Sequence, residues 1–248
     1  MKKSLLLFPG KKVAHKLVIT LLVLIIYPET TWTFKIRRRY LKKLVRIGGI
    51  TNIICAVLLF CSWASIGAFM WKEISARNFS AMVQNPAWIP VNILFLIATL
   101  LLIPGIVGLY LRQAEKTGTL GIMAFYITLL AVIWYVCIQF YETFFWPVIA
   151  AESQTLFQAV GFSPTNKLIF FQFILSGVVW LTGFILLGFV TVRANIIKKW
   201  AVILFTTGAV LFGIGMAFPL RTLGLVLFCI GMIKYGLIFV KNSSTFET

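Results

Sequence analysis

Apolar residues run in blocks along this chain rather than alternating. From residue 44 to residue 240, stretches of about 20 residues with few charges follow one another, each long enough to cross a hydrocarbon layer of roughly 30 Å. Strands of a membrane barrel would alternate apolar and polar positions, and these blocks do not. A segment in lipid must satisfy its own backbone hydrogen bonds, so the blocks are predicted to be helices. Six spans are expected, at roughly 44–70, 88–111, 119–149, 168–192, 200–219 and 222–240. The fold class is therefore all-α, a polytopic transmembrane helical bundle. Each odd-numbered span starts just after a basic residue ("RIGGI", "KTGTLGI", "KKWAVI"), so three consecutive helical hairpins are one plan for it.

Punctuation within the blocks refines this reading. Pro104-Gly105 in "LIPGIVGLY" frees a backbone carbonyl and invites a packing bend. Ala209, Gly213 and Ala217 form a small-residue stripe where another helix can approach closely, with its partner left open. Only "FPLR" separates the last two spans, which predicts an antiparallel hairpin. In the long segment 150–167, Ser163 and Pro164 suit the start of the fourth span, and "TLFQAVGF" suits a short interfacial helix. Lys234 lies close enough to the end of the last span for its ammonium to reach the headgroups.

Three segments follow from the pattern: a basic N-terminal extension (1–42), a six-span membrane domain (43–241) and a short tail (242–248). The run "LVITLLVLIIY" at 17–27 is 11 residues long, short for a span. It reads as an uncleaved interfacial or seventh helix, as a cleaved signal, or as an extension ahead of the native start. The preferred reading is an extension outside the core.

Charge fixes the expected orientation. The 248 residues carry 23 Lys and Arg against six acids, a formal net charge of +17, which taken alone suggests nucleic acid. The placement argues against it, because the cations cluster beside the spans. Lys35, Arg37, Arg38, Arg39, Lys42, Lys43 and Arg46 precede the first span, Arg112 and Lys116 follow the second, and Arg193, Lys198 and Lys199 follow the fourth. Positive residues stay on the cytoplasmic side and favour anionic lipid headgroups. Both termini are expected inside a bacterial cytoplasmic (inner) membrane, with outer loops at 71–87, 150–167 and 219–221.

Chemistry is sparse. The four cysteines lie within predicted spans without metal-ligand spacing and read as packing residues. His15, the one histidine, lies outside the spans, so a bis-histidine haem or a His-rich metal site is not available within one chain. No metal and no cofactor is expected. No phosphate-binding loop, nucleophile elbow, HExxH or dinucleotide glycine pattern occurs.

The third span is the exception. Tyr135, Gln139, Glu142 and Trp146 share one helix face. Trp146, beside Pro147, marks the expected outer interface, and Glu142 then lies one turn, about 6 Å, beneath it. Depth matching brings Asn92 of the second span and Gln172 of the fourth into the same layer. A charge at that depth needs protonation or a partner, and Arg221 and then Lys167 are the candidates. The layer is expected to point inward and open outward as a polar cleft. The first reading of Glu142 is a structural polar tie between helices, with a ligand or proton site second and catalysis last. The cytoplasmic link "YLRQAEKTG", with Arg112, Glu115 and Lys116, reads as a topological anchor or a docking surface.

Several of these segments carry a resemblance. "GLYLRQAEKTGTLGIMAFYITLLA", "YETFFWPVIA" and "LLGFVTVRANIIKKWAVILFTTGAVL" resemble uncharacterised bacterial integral membrane proteins of about six helices. The matching positions are Tyr110, Arg112, Gln113, Ala114, Glu115, Lys116, Gly118, Leu120 and Gly121, with Glu142 late in the third span and Arg193 closing the fourth. The resemblance covers residues 43–241 and implies location and fold, and no activity.

The expected function is that of a non-enzymatic binding, immunity-type or accessory membrane component recognising a small or lipid-like molecule. A small transporter or proton-coupled carrier using Glu142 is the alternative, and an intramembrane enzyme comes third, since no second titratable group is obvious beside Glu142. A carrier of this size would have to dimerise, because the inverted repeats typical of carriers are not visible. Otherwise the sequence leaves the oligomeric state open.

Overall fold

The computed structural model describes residues 31–76, 78–153, 167–214 and 218–242, and every element among them is a helix. They are α1 (Thr31–Phe69), α2 (Trp71–Ser75), α3 (Phe79–Gln84), α4 (Trp88–Glu152), α5 (Lys167–Ala194), α6 (Lys199–Ile214) and α7 (Phe218–Asn242). The chain divides into two compact units, Met1–Lys43 and Leu44–Thr248. Only the opening turns of α1 belong to the described part of the first. The run 17–27, Ser163, Pro164, Ala217 and the segment "TLFQAVGF" lie outside the described residues.

Among the described residues, four helices are long and apolar enough to cross a membrane: Tyr40–Phe69, Trp88–Glu152, Phe171–Ala194 and Pro219–Lys241. The second of these contains two predicted spans. α4 is 65 residues long, but its dihedrals leave the helical region at Gly118 (φ 55, ψ −148), a conformation that glycine adopts at little steric cost. Contacts within α4 straddle Gly118 almost symmetrically. Gln139 bonds Asn92, Trp146 stacks on Trp88, and Phe125 stacks on Tyr110. α4 is therefore an antiparallel pair of arms, 88–117 and 119–152, turned at one glycine. Pro104 does not break the first arm, whose dihedrals stay helical there. α6, at 16 residues or about 24 Å, is the short member of the bundle.

Small residues set where the helices touch. On α1, Gly48 and Gly49 face opposite ways: a Cβ on Gly48 would lie 2.8 Å from Gly108 Cα, and one on Gly49 would lie 2.9 Å from the Gly236 carbonyl oxygen. α1 is thus held between the first arm of α4 and α7. Thr128 of the second arm donates to the Gly183 carbonyl of α5 at 2.8 Å, where those helices cross. Gly208, Gly224 and Gly231 bring α6 and α7 backbone to backbone, so these two are the expected antiparallel pair. The small-residue stripe faces elsewhere. Gly213 packs on Trp180, and Trp180 Nε1 donates to the Ala209 carbonyl at 2.9 Å, so α5 is its partner.

These contacts close a ring. In order it runs α1, the two arms of α4, α5, α6 and α7, each antiparallel to its neighbours, with α7 returning to α1. Aromatic side chains fill the middle: Tyr135, Trp180, Phe184, Phe205, Phe212 and Phe228 lie in successive contact, with ring centroids 4.4–6.4 Å apart. Many large apolar side chains, including Ile54, Phe60, Met123, Tyr126, Phe189 and Ile203, point outward and are exposed. An exterior this apolar is suited to lipid rather than water.

Two of the expected loop segments carry helix. Residues 71–87 contain the helices α2 and α3, the latter capped by Asn78, whose side chain accepts from the Ala81 N–H at 3.1 Å. "FPLR" is not a linker, because α7 begins at Phe218 with Pro219 in its first turn, where a missing N–H leaves no bond unmade.

Candidate functional site

The polar residues of the second and third predicted spans meet near the end of the bundle that carries α2 and α3. Asn92 (4% exposed) and Gln139 (3% exposed) are buried against each other. Gln139 Nε2 donates to Asn92 Oδ1 at 2.9 Å, while Asn92 Nδ2 donates to the Trp88 carbonyl at 2.8 Å. Buried amides of this kind are expensive unless paired, and here the Gln139–Asn92 bond joins the two arms of α4 while the Asn92–Trp88 bond stays within the first arm. One turn on, Thr143 returns a hydrogen bond of 2.6 Å to the Gln139 carbonyl.

Glu142 is half-buried beside this pair, and its backbone carbonyl accepts from Trp88 Nε1 at 3.2 Å. Its carboxylate has a Coulombic partner in Arg221. Because α7 starts before Pro219, Arg221 is a helical residue in the first turn rather than a loop residue, and its guanidinium reaches into the bundle. Arg221 Nη2 donates to the Tyr135 hydroxyl at 3.2 Å. The guanidinium carbon lies 4.8 Å from the centre of the Phe212 ring and 5.3 Å from that of Trp63, both within cation–π range. Arg221 Nε is buried without a hydrogen-bond partner. A cation is thus held between aromatic faces, with one donor unused and a carboxylate within electrostatic reach.

The remaining predicted residues fall elsewhere. Gln172 does not join the layer: it is exposed, and Phe173, the next residue, packs against the buried cluster instead. Lys167 opens α5, and its side chain lies outside the described residues. Trp146 is buried inside the bundle at 3% exposed, stacked on Trp88 and set edge-on to Phe79 at 5.1 Å. A cavity of about 470 Å³ at this end is lined by Val83, Gln84, Asn85, Pro86, Ile89, Pro147 and Ala151, and by none of the predicted cleft residues.

Sequence reasoning missed Trp63 and Phe212. Each is an aromatic residue in an apolar run, and nothing in their spacing marks them as the two faces around a guanidinium. Trp63 is further fixed by donating from Nε1 to Thr222 Oγ1 at 2.8 Å, which ties α1 to α7 next to Arg221.

No protein-family model, curated protein or solved structure matches this chain.

The functional reading therefore rests on side-chain chemistry. Among the described residues, no three His, Cys, Asp or Glu side chains gather in a way that could hold a metal. Glu142, Arg221 and Tyr135 offer one acceptor of negative charge, one fixed cation and one hydroxyl, a set that recognises charge and hydrogen bonds. At the opposite end, Arg112 is half-buried, and Glu115, Lys116 and Arg193 are exposed around the Gly118 turn.

Proposed function

We propose that this protein is a six-span membrane protein of the bacterial inner membrane that binds a small or lipid-like polar molecule at the Glu142–Arg221 centre, without catalysis. Both arms of α4 cross the bilayer in this reading, and α6 crosses alongside α7. The Gly118 end is cytoplasmic, with Arg112, Lys116, Arg193, Lys198 and Lys199 around it, and the α2–α3 end faces out.

One observation carries the binding reading: Arg221 is enclosed by Trp63, Phe212 and Tyr135 and still has a buried, unpartnered Nε. Ionisable residues inside spans are rare and mark functional positions. A buried charge pair is also weak evidence for stability, since apolar residues of similar volume commonly serve as well. Native mass spectrometry of the protein released from mild detergent tests the reading. A bound small molecule or lipid is expected on the wild type and lost from Glu142→Gln and Arg221→Gln. Equal retention by all three proteins sinks it.

The carrier reading uses the same carboxylate but needs a route through the bundle. The aromatic core at Phe184, Phe205 and Phe228, each at most 2% exposed, stands across that route, which favours binding over transport.

A further inference from the structure

The Gly118 end has a second concavity, separate from the Glu142 centre. Its volume is about 270 Å³, and it is lined by Lys116, Thr117, Gly118, Leu120, Val190 and Arg193. Lys116, Gly118, Leu120 and Arg193 are all positions singled out in the sequence, and folding brings the turn of α4 against the end of α5. We propose that this cleft binds a phosphate group.

Two cations from different helices converge on one small volume. Both are exposed, and among the described residues neither forms an ion pair with a carboxylate. Glu115, next to Lys116 in the chain, does not line the cleft. Gly118 contributes open backbone: at its φ of +55° a Cβ would meet nothing within 4 Å, so an anion can approach the main chain there. The Thr117 hydroxyl is already engaged, donating to the Gln113 carbonyl at 3.1 Å, so the attraction comes from the two charges. Leu120 and Val190 add apolar lining to the same cleft. Cations sharing a cleft with apolar side chains match a phospholipid, its phosphate on the charges and its glycerol and chains on the apolar lining. A free phosphate offers the same headgroup chemistry without the apolar part.

The test titrates the full chain in mild detergent with short-chain phosphatidylglycerol and, separately, with inorganic phosphate, reading bound species by native mass spectrometry. Lys116→Gln and Arg193→Gln are each expected to weaken phosphatidylglycerol binding about fivefold, the worth of one cation at a membrane surface. Arg193→Lys should retain it, and thermal melting of each variant separates lost charge from lost fold. Lys199→Gln, an exposed cation at the same end outside the cleft, should bind like the wild type. Competition by millimolar phosphate would assign the site to a soluble phosphate, and its absence to the lipid. In a Glu142→Gln background the weakening by Lys116→Gln and Arg193→Gln should persist, which keeps this site distinct from the proposed function. Wild-type binding by both cleft variants, or an equal loss in Lys199→Gln, overturns the proposal.

Discussion

Glu142 and Arg221 occupy one partly buried space, so changing either alters what the other experiences. Glu142→Gln keeps the shape and some hydrogen bonding, and should lower stability by no more than about 1 kcal/mol. Glu142→Leu removes the hydrogen-bonding group as well as the charge and should cost more than the amide, about 1–3 kcal/mol. Adding Arg221→Leu to that variant should recover part of the loss, a coupling of about 0.5–3 kcal/mol in a double-mutant cycle read by thermal melting in detergent. Strict additivity would show that the two charges do not act on each other. Glycines supply a second contrast. Gly208→Leu must push its new side chain into the Phe228 backbone and should separate α6 from α7, whereas Gly67→Ala, with nothing within 4 Å, should be neutral or mildly stabilising. Equal melting temperatures for these two variants would contradict the close approach of α6 and α7.

At the level of elements, α4 decides the topology. If its two arms both cross the membrane, the Gly118 turn lies on one side and α2 on the other. A membrane-impermeant thiol reagent applied to intact cells should modify Ser75→Cys and not Glu115→Cys, both of which are exposed positions. Labelling of both from one side would remove the second crossing. Helix identity was legible in the sequence, because lipid leaves the backbone no other way to satisfy itself, and the turn near Gly118 was legible from its charges and glycine. The meeting of Asn92, Gln139 and Glu142 followed from depth along the helices. Depth says nothing about azimuth, and that is why Gln172 was misplaced. The buried positions Trp180, Phe184, Leu187 and Thr191 define the inward face of α5, and carried back along the helix that face passes through Phe173. Arg221 was read as a loop residue because "FPLR" resembles a turn, although Pro219 suits the first turn of a helix equally well. The aromatic enclosure around it depends on helix packing, which no local pattern records.

Within the unit Leu44–Thr248 the described helices form a ring whose last member returns to the first. Trp63 donates to Thr222, Cys55 Sγ lies 3.8 Å from Met232 Sδ, and Gly49 meets Gly236, so contact runs along much of α1. In a background without native cysteines, Trp63→Cys and Thr222→Cys should be joined within one chain by a short bifunctional thiol reagent, seen as faster migration under denaturing conditions. A link found only between two chains would show instead that α1 packs on a second copy. This closure also orders biosynthesis. Synthesis makes α1 first and α7 last, so the α1 face carrying Gly49, Cys55 and Trp63 lacks its α7 partner while residues 70–217 are still being made. A chain that stops after α1 and before α7 therefore lacks the partner of that face.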